Sequence, residues 1–358
     1  MRETVVVIGG GIIGLSCAWR LAQSGKEVIL LEKNKCGSGS SCASLGALVP
    51  YNPDREDETP TTQRQSLWHY PAFMKELIEA SGIETGYNRI GRIQLIQSKE
   101  QFDKMSRGAA IANAKWPSID GKPIQQILTP NELRTLEPEL APTEYGALLC
   151  RATAQLNPQR TIAALRAACM RNGVDLRENS PAIEIMLDDD KITAVRSATG
   201  LIQTNKVLLA AGAWSGQLIP KAFKPLKYVA PVKGQSLELS VEGNPLKYMV
   251  RGLSIFIMPA GHNKIWVGGT KEREAGFDET LTEEAEDFLI KKAETLMPLL
   301  AEAKIIKQWS GLRPYSQQGG PIIGWDDKIK GLYHATGHGG IGLCFTPYTS
   351  NKAMEDFS

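Results

Sequence analysis

Val5-Val6-Val7-Ile8-Gly9-Gly10-Gly11-Ile12-Ile13-Gly14, followed downstream by Glu32, decides the fold of this chain. Four β-branched residues read as a buried strand, the glycines as a tight turn, and residues 12–24 as a helix packed back on that strand. Gly9 lets the chain reverse, Gly11 removes a Cβ where a backbone must approach a pyrophosphate, and Gly14 lets helix and strand close up. The helix N-terminus then presents N–H groups and partial positive charge to phosphates. Gly25 stops the helix, and Val28-Ile29-Leu30-Leu31 reads as a second parallel strand ending at Glu32. A carboxylate there accepts the hydroxyls of an adenosine ribose and repels a 2′-phosphate, which argues against NADP. Together these parts define a dinucleotide cradle, open to FAD or NAD.

A chain of 358 residues can bury a large core and make two domains. A net charge of +2 leaves no electrostatic footprint for nucleic acid or an acidic membrane surface, so a small partner is expected. The cysteines, Cys17, Cys36, Cys42, Cys150, Cys169 and Cys344, form no C-x-x-C pair and no Cys/His cluster at metal-ligand spacing. They read as reduced thiols of a cytoplasmic protein, and no metal site is expected. The N-terminal apolar run is too short for a secretory signal, and no later run approaches the roughly 18 residues of a spanning helix.

Residues 36–50 are rich in small residues and hydroxyls. They form either a linker or a second ligand-contacting loop, and the apolar stretch 45–50 favours contact with a cofactor. Residues 52–62, with Asp54, Glu56, Asp57 and Glu58, read as a solvated loop or as a lid. Helical periodicity covers 63–80, and 89–96 alternates as a strand. Helices at 99–114 and 129–136, with a strand at 146–150, give an α+β middle block that reads as an insertion. A helix over 158–172 and strands at 174–176, 182–186 and 192–197 follow. The run Val207-Leu208-Leu209-Ala210-Ala211-Gly212 then returns to the nucleotide domain, because a parallel sheet presents such an edge to ligands. A second excursion holds strands at 229–239, 254–258, 264–270 and 305–309, the last leading into Ser310-Gly311-Leu312-Arg313-Pro314. Its helix over 283–297 places Ala285, Phe288, Leu289, Lys292 and Leu296 on one face. Strands at 321–324 and 332–336, a third glycine loop over 337–343 and a short last helix close the chain, without internal repeats.

The order of these motifs resembles the FAD-dependent D-amino acid oxidase superfamily, and within it glycine oxidases and bacterial D-amino acid dehydrogenases. The motifs are the opening one with Glu32, Ser40-Ser41, Ala210-Ala211-Gly212-Ala213-Trp214-Ser215, Pro231-Val232-Lys233-Gly234-Gln235, Gly311-Leu312-Arg313-Pro314 and Gly337-His338-Gly339-Gly340. The resemblance spans nearly the whole chain and implies an α/β fold. A Rossmann-like FAD-binding domain (1–84, 146–225 and 315–358) would interleave with an α+β substrate domain (85–145 and 226–314) on a mixed or antiparallel sheet. FAD would be non-covalent, because members with covalent flavin carry a cysteine near the place of Leu312. Cofactor contacts carried over by the resemblance fall on Gly9, Gly11, Ile12, Ile13 and Gly14 for the pyrophosphate, and on Glu32 and Lys33 for the ribose. Ser40, Ser41, Leu45, Gly46 and Ala47 would lie along the diphosphate and flavin, Ala182 by the adenine, and Gly212 at the sheet edge. His338, Gly339, Gly340, Ile341, Gly342 and Leu343 would wrap the isoalloxazine.

Arg313 matches the arginine that holds the substrate carboxylate in that family. A guanidinium fork makes two parallel charge-assisted bonds to a carboxylate, each worth roughly 1.5–3 kcal/mol. Without the resemblance, an interdomain ion pair is the competing role. The implied chemistry asks for no side-chain acid or base, so His69, His262 and His334 read as structural. Glycine oxidases carry a tyrosine at Phe256, whose hydroxyl reaches the carboxylate, an arginine at Gly340 and a methionine at Lys271. Phe256, Gly340 and Ala47 therefore join Arg313 as substrate-site residues, and the lost polar partners make room for a D-amino acid, sarcosine or a proline derivative. Lys271 faces either the flavin or solvent. The implied activity is oxidative deamination of a small amino acid with O2 as acceptor and H2O2 as product. Its rivals are a dehydrogenase passing electrons to a quinone or carrier, and a non-catalytic FAD scaffold; self-association stays open.

Overall fold

The computed structural model describes residues 3–50, 61–219 and 229–358. Residues 52–60 of the expected loop lie outside the described residues, and 61 and 62 already belong to the helix that follows. β1 (Thr4–Ile8) lies between β2 (Glu27–Leu31) and the strand Lys206–Leu209, parallel to both. The apolar run is continuous because both faces are covered. Val5 and Val7 pack among α1 (Ile12–Gln23), the helix Pro158–Arg171 and the last helix, while Val6 and Ile8 face the small antiparallel sheet of Ala182–Asp188, Lys191–Ser197 and Gly200–Gln203. The six-stranded sheet is completed by Asp175–Arg177 beyond β2, and by Leu332–Thr336 and the antiparallel edge strand Ile322–Trp325 on the other side.

An eight-stranded sheet forms the second layer, in the order Lys304–Ser316, Val229–Ser240, Lys264–Gly268, Ile255–Pro259, Met249–Gly252, Arg92–Leu95, Ala147–Cys150, Gln125–Leu128. Its pairs are antiparallel except Met249–Gly252 with Arg92–Leu95, so the sheet is mixed. The strand Ala147–Cys150, which the sequence reading gave both to the α+β block and to the span 146–225, is bonded here between Arg92–Leu95 and Gln125–Leu128. The signal for a switch of sheet was absent because its four residues are all buried and read alike in either sheet.

Three other expectations are corrected. The strand expected at 305–309 runs on through Arg313 as Lys304–Ser316, held by its pairing with Val229–Ser240. Pro314 lies opposite Pro231 in that pairing. On the helix Glu283–Leu296 the buried line is Ala285, Leu289, Ala293 and Leu296, and Phe288 is 37% exposed. The last helix is 15 residues long, Gly342–Asp356, with Pro347 inside it. Pro347 lacks the N–H that the Leu343 carbonyl would accept, and the Tyr70 hydroxyl donates there instead. Among the described residues no helix is long and apolar enough to cross a membrane.

Candidate active site

The turn from β1 into α1 lies at the carboxyl edge of the six-stranded sheet. Gly9 has φ of +112°, and a Cβ there would overlap the Ala210 carbonyl; one on Gly14 would overlap the Gly9 carbonyl oxygen. Gly11 caps α1 without a side-chain bond, and the Ser41 hydroxyl oxygen accepts the Ile12 N–H at 2.9 Å. Ile13 follows half-buried in the first turn. Glu32 accepts from the Gly10 N–H at 2.7 Å and the Asn34 N–H at 2.9 Å. Those bonds use two of about four acceptor positions on a carboxylate and leave the rest for hydroxyl donors. Lys33 Nζ stands 3.1 Å from the centre of the Trp214 ring, and a Cβ on Gly212 would meet open space. The Ser180 N–H donates to the Glu32 carbonyl at 2.8 Å, which brings the start of the strand at Ala182 beside the acid. A glycine-lined approach, a helix start without a side-chain cap and a carboxylate with spare acceptors fit FAD at this edge.

The 36–50 segment is packed between the two large sheets rather than slung as a linker. The Ser40 hydroxyl donates to the Leu312 carbonyl, and Trp309 Nε1 donates to the Ala43 carbonyl at 2.8 Å. Leu45 lies against Gly268, where a Cβ would come within 3.0 Å of its Cδ1. Gly46, at φ of +78°, lies against the Leu156 backbone, and Ala47 pairs with Gln155. The third glycine loop closes the same space from the other side. Gly339–Ile341 form one 3₁₀ turn that leads through Gly342 and Leu343 into the last helix.

His338 is 3% exposed, with Nε2 3.0 Å from the Thr349 hydroxyl. Burial pushes its ring from the ordinary 6.5 down to about 3. The unfolded chain therefore takes up a proton near pH 6.5 that the fold refuses until about pH 3. The stability it contributes is complete above pH 6.5 and is lost as pH falls towards 3. Urea unfolding of the wild type and of His338→Asn at pH 7, 6 and 5 is expected to show a shallower loss in the variant. Equal slopes would refute the assignment.

Arg313 projects from the strand Lys304–Ser316, opposite Val232 in register. Its guanidinium lies flat on Gly234, where any Cβ would overlap it. Nη1 donates to the Thr270 carbonyl at 2.7 Å. On the remaining side, a Cβ on Gly340 would be 3.5 Å from Arg313 Cδ and 3.8 Å from Nε, so the glycine loop lies against the stem of the side chain. Burial lowers the guanidinium pKa, opposed by the charge of Glu272, and Arg313 remains a cation. Phe256 is not beside it. Phe256 pairs with Gly268, Gly268 with Ser236 and Ser236 with Trp309, which puts Phe256 three strands across the sheet and four residues along it from Arg313. Its ring has the Arg251 guanidinium 5.6 Å away. Lys271 is exposed.

Sequence reasoning quoted Lys233, Gln235 and Trp214 only as parts of motifs, and passed over Thr270 and Glu272. The usable signal lay in Lys233-Gly234-Gln235: alternation in a strand puts the glycine on one face and two polar side chains on the other. Both polar side chains are buried, Lys233 at 2% exposure and Gln235 at 3%.

A dinucleotide cradle facing a large sheet that carries a half-buried arginine is the arrangement of a flavoenzyme. The chain matches the family described as FAD dependent oxidoreductase over residues 4–354 and belongs to it. It is an FAD-dependent oxidoreductase. Glycine oxidase of Pseudomonas aeruginosa is 31% identical over 354 residues, 97% of this chain and 92% of the relative. The crystal structure of glycine oxidase from Geobacillus kaustophilus has a TM-score of 0.88 at 28% identity, covering 99% of this chain and 94% of that one. L-proline dehydrogenase from P. horikoshii shares the fold, with a TM-score of 0.85 at 23% identity over 100% and 93% of the two chains.

Proposed function

We propose that the protein oxidises a small amino acid, glycine, sarcosine or a D-amino acid, with non-covalently held FAD and O2 as acceptor, in the cytoplasm. Arg313 is the observation that carries this reading. It is a half-buried cation that donates to the Thr270 carbonyl, with the stem of its side chain beside Gly340. The proposed division of labour puts FAD at the six-stranded sheet and the substrate at the eight-stranded sheet. The absence of a cysteine near Leu312 supports non-covalent attachment.

The chemistry FAD supplies when bound is acceptance of a hydride from the carbon that bears the amine. Arg313 fixes the carboxylate, and so the orientation of that carbon. Gly340 leaves space beside the Arg313 side chain, an arrangement that admits a substituent on carbon or nitrogen. Release of the imine to water yields the oxo acid and the amine. The relatives named glycine oxidase support an amino acid as substrate.

An anaerobic titration against glycine, sarcosine and D- and L-amino acids, followed by flavin absorbance, tests the reading. One compound is expected to bleach the flavin, and air to restore it with one H2O2 per turnover. Bleaching with slow return in air would replace O2 by a quinone or carrier. A flavin that no compound bleaches would sink the proposal in favour of a scaffold.

A further inference from the structure

We propose that Lys233 is a positioning residue for Arg313: by neutralising Glu272 it lets that carboxylate hold the Thr270 backbone beneath the guanidinium without cancelling the charge offered to the substrate. The proposal rests on the reading that Arg313 binds a carboxylate. Lys233 Nζ lies 3.1 Å from Glu272 Oε2 and 3.8 Å from Asp278 Oδ2, and donates to the Thr280 carbonyl at 2.9 Å. Glu272 also accepts from Gln235 Nε2 at 3.1 Å on each oxygen, and from the Thr270 hydroxyl at 2.8 Å. The Thr270 hydroxyl oxygen in turn accepts the Gln235 N–H at 2.7 Å, and the Thr270 carbonyl accepts from Arg313. An unbroken chain of polar contacts thus links Lys233 to the guanidinium.

The charges decide what this chain does. Arg313, Lys233 and Glu272 sum to one positive charge, with Asp278 at the rim, its side chain 52% exposed. Without Lys233, the charge of Glu272 would be unopposed and would offset part of the charge that Arg313 offers to an incoming carboxylate. Lys233 sits on the strand that supplies Gly234, so the residue that neutralises Glu272 and the surface that carries the guanidinium are set by the same backbone.

The test uses FAD-loaded enzyme, calorimetric titration with acetate, and acetamide as an uncharged control. Lys233→Met is expected to weaken acetate binding about tenfold, the scale of a unit charge lost a few ångströms from an anion. KM for the amino acid should rise by a similar factor, with kcat and acetamide binding little changed. Adding Glu272→Gln should restore acetate binding. Wild-type acetate affinity in Lys233→Met, or no recovery in the double variant, would overturn the proposal. If Lys233→Met does not fold, Glu272→Gln alone decides, because it should bind acetate at least as tightly as the wild type, and weaker binding refutes. Arg313→Leu in the same titration separates the two ideas. If acetate still binds normally there, the carboxylate reading itself falls; if acetate is lost there but not in Lys233→Met, only the positioning role falls.

Discussion

Replacing Arg313 by leucine is expected to lower kcat/KM for the amino acid by about a hundred- to ten-thousand-fold, because two charge-assisted bonds of roughly 1.5–3 kcal/mol each are lost. The protein should still fold and keep its flavin, since the cradle of Gly9, Gly11, Gly14 and Glu32 is on the other sheet. Arg313→Lys keeps a charge but loses the planar fork, and should fall between leucine and wild type. Steady-state kinetics with the amino acid and with its decarboxylated amine distinguish the effects. The amine should be handled equally by wild type and Arg313→Leu. A wild-type rate for the amino acid in Arg313→Leu would remove the arginine from substrate recognition.

Gly14→Ala should damage both the fold and flavin binding. Its Cβ would overlap the Gly9 carbonyl oxygen and come 3.3 Å from Ala210 Cβ, so α1 would have to lift from β1. Both neighbours lie in the cradle, and one is backbone, with no rotamer to yield. Overpacking of this kind costs roughly 1–3 kcal/mol where side chains can give way, and more where they cannot. The same lift moves the helix N-terminus away from the phosphates. Purified Gly14→Ala is expected to carry less than about a tenth of the wild-type flavin, the loss that 1.4 kcal/mol of binding implies. Flavin-to-protein absorbance ratio and thermal unfolding check both parts. Normal flavin content would show that Gly14 is a convenience of packing only.

The cradle was legible because each of its demands is local. Gly9, Gly11, Gly14 and Glu32 answer to the geometry of one strand, one turn and one helix, and their spacing is visible along the chain. The helix starts were legible for the same reason: Thr129 and Glu132 form a capping box, and Asn157 caps the helix that begins at Pro158. Ala147–Cys150 was harder to assign to a sheet, because burial along the whole strand carries no mark of which sheet provides it. Phe288 was given to the core because a 3.6-residue period fixes a face only to within a neighbouring position, and Ala293 occupies the line that a larger residue seemed to claim.

By itself the sequence determined the dinucleotide cradle and the parallel strands that hold it, since these are properties of residue type at short spacing, while Arg313 was marked for a carboxylate only by the family resemblance. Only the tertiary structure decided what surrounds that arginine. Thr270, Glu272, Lys233 and Gly340 come from three separate stretches of the chain, and the pairing of Lys304–Ser316 with Val229–Ser240 is what carries Arg313 onto Gly234. No local preference encodes such a meeting. It is settled by which strands can bury their apolar faces together, and the charge of the site follows from that packing.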